Sequence, residues 1–446
     1  MSATAAKLRE APIGKLFFAY LLPSVLGMLL MSVNIVIDGI FIGHGVGPNG
    51  LAGVNIAVPA FSIFISISLW IGIGGATLYS ISLGENKQRE AQSIFSQACT
   101  LAILLIGVIM IICLFNIEPL ALLLGANQVI LPYALDYLSI LLMYGIVFVF
   151  QNILSIFVRN DGNPNLSMAS LIVTAILNVI LDYVYIFVWG WGVAGAAYAI
   201  VQATGIGFIV LLTHFFRRNR TLRWVPVRFD GHTIKRILTI GFPSFVAEIA
   251  IAIVTIAMNL AFMRMIGEIG VASYSILNYL HSLMLLVFLG VGSALQPLAS
   301  FHYGARLYDR LKRCMRLAVI TALGLGLFFL GTGWLFAGPL VALFDVTSEE
   351  LYQLTVNGLS LFFLNYLFLG YNLVYATYFQ SVGYIPVALI ITIGRGILLV
   401  LLFLWLLPDW LGLNGIWLSV PAAEALTALM IFLFGRLRRS VPDPMV

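Results

Sequence analysis

Two aspartates with the same local setting are the residues of this sequence that best combine position with chemistry. Asp38 follows Asn34 by four positions, and Asp182 follows Asn178 by the same spacing. Residues four apart lie on one face of a helix, so each carboxylate shares its face with an amide. Carboxylate and amide oxygens are hard ligands that suit a metal cation such as Na⁺, and a carboxylate also accepts a proton. The pattern predicts a site for H⁺ or Na⁺ formed by Asn34, Asp38, Asn178 and Asp182.

The segment 171–188 carries Asp182 through an otherwise apolar stretch that is long enough to cross a bilayer. Thr174 lies one turn before Asn178, and Tyr185 lies about one turn after Asp182, so the polar residues form one stripe. An ionisable residue at such a place costs about 2.5–3.5 kcal/mol on insertion scales and usually marks an ion or proton pathway. The alternative is that each Asp hydrogen-bonds a neighbouring helix and stabilises packing.

Depth also favours a shared site. With the N-terminus inside, the first apolar segment rises from Lys15 and the fifth rises from Asn165, which puts Asp38 and Asp182 in the outer halves of their segments. Two carboxylates close together in a low dielectric do not both remain ionised. One of them can therefore take up a proton from one side of the membrane and release it when the site opens to the other.

The second half of the chain has its own intramembrane charges. Glu248 begins a helical stripe that continues through Thr255 and Asn259, which indicates a second cation or substrate site. Arg395 and Glu424 lie near mid-depth on consecutive antiparallel segments. Since charges within a membrane pair with one another, these two predict a structural ion pair.

Further polar residues within apolar segments predict the wall of a water-filled cavity. The tenth segment is unusually polar, and a lone intramembrane histidine such as His281 is more often a packed hydrogen-bonding residue than a proton relay. The candidate cavity residues are Gln151, Asn152, Gln202, Asn278, His281, Tyr366 and Asn372.

The composition is that of a polytopic membrane protein. Of 446 residues, 61% are hydrophobic and 9% are charged, whereas soluble domains contain about 25% charged residues. The net charge of +5 comes from basic residues between apolar segments, which is typical of topology signals rather than of nucleic-acid binding. The cysteines lack CxxC spacing, so neither a disulfide nor a metal site is predicted for Cys99, Cys113 and Cys314.

Known catalytic motifs are missing from the sequence. There is no GxxxxGK[ST] loop and no HExxH, and no nucleophile is paired with a base. The sequence therefore predicts neither an ATP motor nor an enzyme, and it predicts no cofactor other than a coupling ion, H⁺ or Na⁺.

Twelve apolar segments are long enough to span a membrane. They cover roughly 16–43, 51–83, 94–116, 130–157, 166–189, 193–216, 234–263, 270–300, 316–344, 351–381, 385–408 and 413–435. With the N-terminus inside, all 23 Lys and Arg residues lie on the inner side except Arg264 and Arg395. The positive-inside rule thus predicts cytoplasmic termini, including a basic tail at 436–439. The outer loops are neutral or acidic, with Glu118, Asp345, Glu349, Glu350 and Asp409.

The chain also repeats itself. Pro23-Ser24 recurs as Pro243-Ser244, and Gly50, Ala52, Gly72 and Gly84 recur 220 positions later as Gly270, Ala272, Gly292 and Gly304. Six segments per half is an even number, so both halves enter the membrane in the same sense, as in transporters built from parallel repeats. The predicted organisation is a first lobe at 1–216, a basic cytoplasmic linker at 217–233 and a second lobe at 234–446.

The run VRNDGNPNLSMASLIVTAILNVILDYVYIF at 158–187 is the most specific sign of a resemblance to a known family. With the twelve segments, the two parallel halves and Pro23 fifteen residues before Asp38, it resembles bacterial members of the MATE family of multidrug and toxin extruders. The resemblance covers essentially the whole chain. It implies export of organic cations driven by inward H⁺ or Na⁺, a cation site at Asp38, Asn178 and Asp182, and a bend of the first helix at Pro23.

The sequence departs from that family in two places. Many members carry a hydroxyl residue after GVAGAAYA, where this chain has Ile200, with Gln202 and Thr204 as neighbours that can compensate. Some members pair an acid at the position of Glu248 with an Asp in the tenth segment, which has none here. The second departure, the tenth segment without an Asp, favours the first half as the coupling centre.

The sequence as a whole predicts an all-α secondary active transporter of the bacterial cytoplasmic membrane that works by alternating access. The expected partners are cationic or amphiphilic drugs and dyes and membrane lipids, with no nucleic acid, and the expected state is a monomer. The alternative is a flippase for lipid-linked oligosaccharides, which needs a cationic cleft, whereas Arg395 is the one deep basic residue. An intramembrane enzyme and a channel are further alternatives, and gradient-driven counterflow would exclude a channel.

Overall fold

The computed structural model describes residues 3–217, 220–227, 229–344, 346 and 348–438, and side chains within 5–435 of these ranges. Three sequence predictions fall wholly or partly outside the described residues. They concern the outer-loop acid Asp345, the end of the basic tail at 439, and linker positions 218, 219 and 228.

Helices long and apolar enough to cross a membrane number twelve among the described residues, as the sequence predicts. Hydrocarbon offers no hydrogen bonds to a backbone, so an apolar run satisfies its own N–H and C=O groups by coiling into a helix. In chain order the spans are Ile13–Gly45, Pro48–Gly84, Gln88–Phe115, Leu131–Asn160, Pro164–Val188, Gly192–Phe216, Gly231–Ile266, Glu268–Gly304, Tyr308–Leu335, Glu349–Ser381, Ile385–Leu411 and Leu413–Gly435.

Short α-helices, 3₁₀ turns and π-helical turns make up the rest of the helical structure in the described residues. Short helices lie at Ala3–Glu10, Ile117–Leu123 and Ala337–Ala342. The sixth span ends in a 3₁₀ turn at Thr213–Phe216, and the tenth contains another at Phe363–Asn365. The fifth and eleventh spans contain π-helical turns at Tyr183–Val188 and Gly394–Leu398. Pro23 lies within the uninterrupted first helix, and its bend stays a prediction.

Some predicted boundaries are wrong. The third span begins at Gln88 rather than near 94, and the ninth begins at Tyr308 and ends before Phe336 rather than covering 316–344. Hydropathy marks only the apolar part of a helix. The helices continue into polar first turns, where acidic residues interact favourably with the positive end of the helix dipole, here Glu90 and Asp309.

The duplication is visible in the backbone of the turns. Asn86 has a φ of 62° and Arg306, 220 positions later, has a φ of 56°, although neither is a glycine. Gly192 and Gly412 form a second such pair, with φ of 58° and 56°. Non-glycine residues rarely adopt this left-handed region. The matching exceptions therefore show that the two halves repeat the same helix–turn order with the same turn geometry.

The chain forms two compact units. The first comprises Met1–Phe245 with Ser300–Arg306, and its second span packs against the fourth while the fifth packs against the first and sixth. The second comprises Val246–Ala299 with Leu307–Val446, and within it the ninth span packs against the tenth and the eleventh against the twelfth. The basic linker thus belongs to the first unit.

Side chains of the first unit hold the described part of the linker in place. Gln92 Nε2 donates to the Thr221 carbonyl at 3.0 Å, and Ser96 Oγ accepts from the Val225 amide at 2.9 Å. Gln97 Oε1 accepts from the Asp230 amide at 3.1 Å. The described linker residues therefore form a strap along the third span.

Asp161 makes the densest set of contacts to this strap. Its side chain is 2% exposed, and its Oδ2 accepts from the amides of Thr221 and Leu222 at 3.0 Å each. His214 Nε2 lies 2.8 Å from the same oxygen, and Tyr79 donates its hydroxyl to Oδ1 at 2.9 Å. The Asp of the RNDGNP run is thus a buried acceptor that joins the linker to the second and sixth spans.

Replacing Asp161 by Ala removes a buried charge whose partners then stay unsatisfied. We expect a loss of about 3–5 kcal/mol in stability, as for a broken buried pair. The apparent melting temperature of detergent-solubilised protein, followed by size-exclusion chromatography, measures the effect. Ser96→Ala removes a single linker contact and should cost about 1 kcal/mol. Equal melting temperatures for Asp161→Ala and Ser96→Ala would contradict this role.

Candidate cation-binding site

The structure brings Asp38 and Asp182 together from two packed helices. Asp38 is half-buried near the end of the first span, and Asp182 is fully buried as the last α-helical residue of the fifth. Their carboxyl groups lie within hydrogen-bonding range of each other. A carboxylate is only an acceptor, so this contact requires one shared proton. The pair is therefore a place where a proton is held between two acids.

The two asparagines behave differently. Asn178 is fully buried, and its Nδ2 donates to Asp182 Oδ2 at 2.8 Å. Asn34 instead turns its Nδ2 to the Ala175 carbonyl at 3.4 Å. Asn178 thus belongs to the acid pair directly, whereas Asn34 links the first helix to the fifth.

Two acceptor oxygens of this site have no protein donor. Asn178 Oδ1 and Asp182 Oδ1 are buried, and apart from the proton shared between the acids no described group donates to them. A buried polar atom without a partner costs about 1–3 kcal/mol. Oxygens left open in this way attract a proton or a cation. The donor set of carboxylate and amide oxygens fits H⁺ or Na⁺.

Tyr137 is a neighbour of the site that the sequence analysis missed. It lies on the fourth span, is 7% exposed, and interacts electrostatically with both Asp38 and Asp182. Its hydroxyl is a donor that can face a carboxylate. Depth would have found it: Tyr137 lies near the start of the fourth span, which runs opposite to the first and fifth, so it is level with the two acids near the ends of those spans.

A change of helix type occurs directly after Asp182. The α-helix ends at that residue and continues as the π turn Tyr183–Val188. π turns are rare and are frequently found at functional sites, because the extra residue per turn re-aims the side chains. Tyr185 lies within this turn and donates its hydroxyl to Gln202 Oε1 at 2.7 Å. The predicted cavity residue Gln202 is therefore bonded to the turn that follows the acid.

Two charged residues of the second half, Arg395 and Glu424, form a closed network. Arg395 Nη1 donates to Glu424 Oε1 at 2.7 Å, and Asn372 Nδ2 donates to Glu424 Oε2 at 2.6 Å and to the Glu424 carbonyl at 2.8 Å. Arg395 lies in the π turn of the eleventh span. The pair that the sequence predicts is formed, and the predicted cavity residue Asn372 is one of its partners.

The stripe that begins at Glu248 is not joined into one site. Thr255 Oγ1 donates to the carbonyl of Ile251 at 2.9 Å, and the Tyr274 hydroxyl hydrogen-bonds the Thr255 side chain. Asn259 Oδ1 is buried without a partner among the described residues. Glu248 is half-buried and forms neither an ion pair nor a hydrogen bond within that part of the chain. Its role as a cation or substrate ligand stays a prediction.

The remaining predicted cavity residues fall into two groups. Gln151 Nε2 contacts Ser170 and Thr174 at 3.4 and 3.3 Å, and the His281 Nδ1 atom lies 3.0 Å from the Tyr366 hydroxyl. These residues are hydrogen-bonded within their own units. The side chains that are half-buried without such a contact are Asn152 and Asn278.

A comparison with known families identifies one family that matches both halves of the chain. The MatE family model matches residues 23–184 and 243–406, one segment in each half. The chain belongs to the MatE family. The first segment contains both Asp38 and Asp182, and each segment begins at the repeated proline, Pro23 and Pro243.

Several known proteins resemble this MatE chain along nearly its whole length. "Multidrug export protein MepA" of Staphylococcus saprophyticus is 24% identical over 423 residues, which cover 94% of this chain and 92% of that protein. "Probable multidrug resistance protein YoeA" of Bacillus subtilis is 25% identical over 427 residues, 93% of this chain and 91% of the relative. An outward-facing structure of a multidrug resistance MATE family transporter matches with a TM-score of 0.92 at 24% identity, covering 99% of both chains. The MatE chain is thus a multi-pass integral membrane protein with the MATE fold.

The two polar neighbours of Ile200, Gln202 and Thr204, form hydrogen bonds away from the acid pair in this MatE chain. The Thr204 hydroxyl donates to the Ile200 carbonyl at 2.7 Å, and Gln202 Oε1 accepts from Tyr185. Neither neighbour directs a hydrogen bond to the carboxyl pair. The acid site therefore consists of Asp38, Asn178 and Asp182, with Tyr137 beside them.

The Arg395–Glu424 pair generates a double-mutant prediction. Arg395→Met leaves the buried Glu424 carboxylate without its cation and should cost about 3–5 kcal/mol in stability, as should Glu424→Gln for the opposite reason. The double variant removes both charges and should recover much of this loss. Apparent melting temperatures of the four proteins give the coupling. Simple additivity of the two single losses would show that the charges do not interact.

Proposed function

We propose that this MatE chain is a secondary active multidrug efflux transporter that exchanges cationic or amphiphilic drugs and dyes for H⁺ or Na⁺. The observation that carries the proposal is the shared-proton contact of Asp38 and Asp182 beside two unpartnered acceptor oxygens. An acid pair of this kind alternates between a loaded and an unloaded state. Relatives with the printed names "Multidrug export protein MepA" and "Probable multidrug resistance protein YoeA" support the choice of substrate class.

The proposed mechanism is alternating access. A cation that enters the site of Asp38 and Asp182 from outside neutralises the carboxyl pair and favours the state that releases drug. Return of the cation to the cytoplasm resets the site for the next substrate. Each elementary charge moving down 100 mV supplies about 2.3 kcal/mol. A difference of this size shifts a two-state equilibrium by more than an order of magnitude, which is enough to bias the direction of transport.

The proposed setting follows from the topology. Both termini lie in the cytoplasm of a bacterium, by the positive-inside rule, and the chain acts as a monomer in the cytoplasmic membrane. A flippase of lipid-linked oligosaccharides is the less favoured function, because it needs free basic groups for a pyrophosphate. Arg395, the deep basic residue, is bonded to Glu424.

Dye efflux from reconstituted vesicles tests the proposal. A pH gradient and a Na⁺ gradient are imposed separately on wild-type protein, Asp38→Asn and Asp182→Asn. We expect wild type to drive counterflow of a cationic dye with at least one of the two gradients. Both variants should lose gradient-driven efflux by about 10²-fold or more, because an amide cannot take up the coupling proton.

The matched control for these substitutions is Asp409→Asn, which makes the same chemical change at an exposed residue. It should keep wild-type efflux. Unchanged efflux in Asp38→Asn and Asp182→Asn at equal expression would exclude the coupling role. Dye movement that neither saturates nor responds to a gradient would instead indicate a channel.

A further inference from the structure

A cavity of about 410 Å³ opens on the membrane side that carries the basic loops. Its lining includes Arg9, Glu85, Asn86, Lys87 and Arg306, and all of them belong to the first compact unit. The helix before the first span and the turns after the second and eighth spans share one side because the spans alternate in direction. That side is the one which the positive-inside rule assigns to the cytoplasm.

Backbone contacts fix the walls of this cavity. Arg9 Nη2 donates to the Gly84 carbonyl at 2.7 Å, and His302 Nε2 lies 3.1 Å from the Leu8 carbonyl. The second and eighth spans touch at their last residues, where a Cβ added to Gly84 would overlap the backbone at Gly304. The cavity is therefore bounded by firmly packed helix ends rather than by a loose loop.

The charges around the cavity are unbalanced. Arg9, Lys87 and Arg306 face a single lining acid, Glu85, which pairs with Lys87 at 2.7 Å. Lys87 also lies 3.9 Å from Glu90, outside the lining, and it interacts with the positive charge of Arg236. The lining thus keeps an excess of positive charge after the ion pair is formed.

Arg9 also has unused donor capacity. Its Nε is buried and has no hydrogen-bond partner among the described residues, while one Nη2 proton is given to the helix end. An arginine fork of this kind matches the oxygens of a phosphate or carboxylate. An unpartnered guanidinium donor beside two further basic residues is suited to bind an anion.

We propose that this cavity binds the phosphate of an anionic phospholipid headgroup. Its volume exceeds what inorganic phosphate fills, and it opens at the depth where the cytoplasmic leaflet presents its headgroups. Basic pockets between spans on this side are known to bind phosphate-bearing lipids, and each nearby Lys or Arg strengthens the attraction. The site is separate from the Asp38–Asp182 pair and does not depend on the proposed transport function.

The test compares lipid binding by three forms of the full chain. The pocket variant is Arg9→Gln, Lys87→Gln and Arg306→Asn. Asn replaces Arg306 because its φ of 56° lies in the left-handed region, which Asn tolerates better than other non-glycine residues. The control variant neutralises three exposed basic residues of the ninth span on the same membrane side, Lys312, Arg313 and Arg316, to Gln.

Native mass spectrometry of detergent-solubilised protein, titrated with phosphatidylglycerol or phosphatidylcholine of equal chain length, measures the binding. We expect wild type and the control variant to prefer phosphatidylglycerol by about tenfold or more, and the pocket variant to lose that preference. The proposal is overturned if the pocket variant keeps the preference, or if the control variant loses it equally and the effect is one of diffuse charge.

Two further measurements identify the source of the anion and check that the variant folds. Inorganic phosphate and glycerol phosphate are added as competitors, and competition at concentrations as low as those of the lipid would overturn the lipid assignment in favour of a soluble anion. The apparent melting temperature without lipid checks folding. If the triple variant is unstable, the single variant Lys87→Gln replaces it, because it leaves the contact of Arg9 with the helix end intact. This variant should still weaken phosphatidylglycerol binding several-fold. Unchanged binding would overturn the proposal.

Discussion

Hydrogen-bond satisfaction in a medium without water is the constraint on which this structure depends. Hydrocarbon gives no partner to a backbone amide or to a carboxylate, so every polar group within the spans must find one in the protein. The apolar runs meet this demand by forming helices. The intramembrane acids meet it to different extents, and those differences separate structural acids from the acid pair that is suited to bind a cation.

Three buried acids illustrate the difference. Asp161 accepts from two amides, a tyrosine hydroxyl and a histidine, so both of its oxygens are hydrogen-bonded. Glu424 accepts from Arg395 and Asn372. Asp182 has one protein donor, Asn178, together with the proton it shares with Asp38. The first two acids hold elements together, whereas the third retains an open oxygen for an exchangeable cation.

The internal duplication repeats backbone geometry without repeating chemistry. The left-handed residues at 86 and 306 and the matching glycines show that the same turns were built twice. Yet the fifth span has a π turn after an aspartate, and the eleventh has one around an arginine whose charge is neutralised. The fifth span thereby carries an open acid site and the corresponding eleventh span a closed ion pair, because the side chains and not the helix order decide which polar groups stay unpartnered.

The sequence by itself determined the twelve spans, the repeat and the identity of Asp38 and Asp182 as intramembrane acids. Those features depend on hydropathy and periodicity, which are properties of the local chain. Only the tertiary structure decided that Asn34 bonds a backbone carbonyl, that Tyr137 joins the acid pair, and that the stripe from Glu248 does not form one site. Each of these outcomes depends on which residue of another helix stands opposite. Periodicity along one helix places a side chain on a face, but the partner it meets there is set by how separate helices pack.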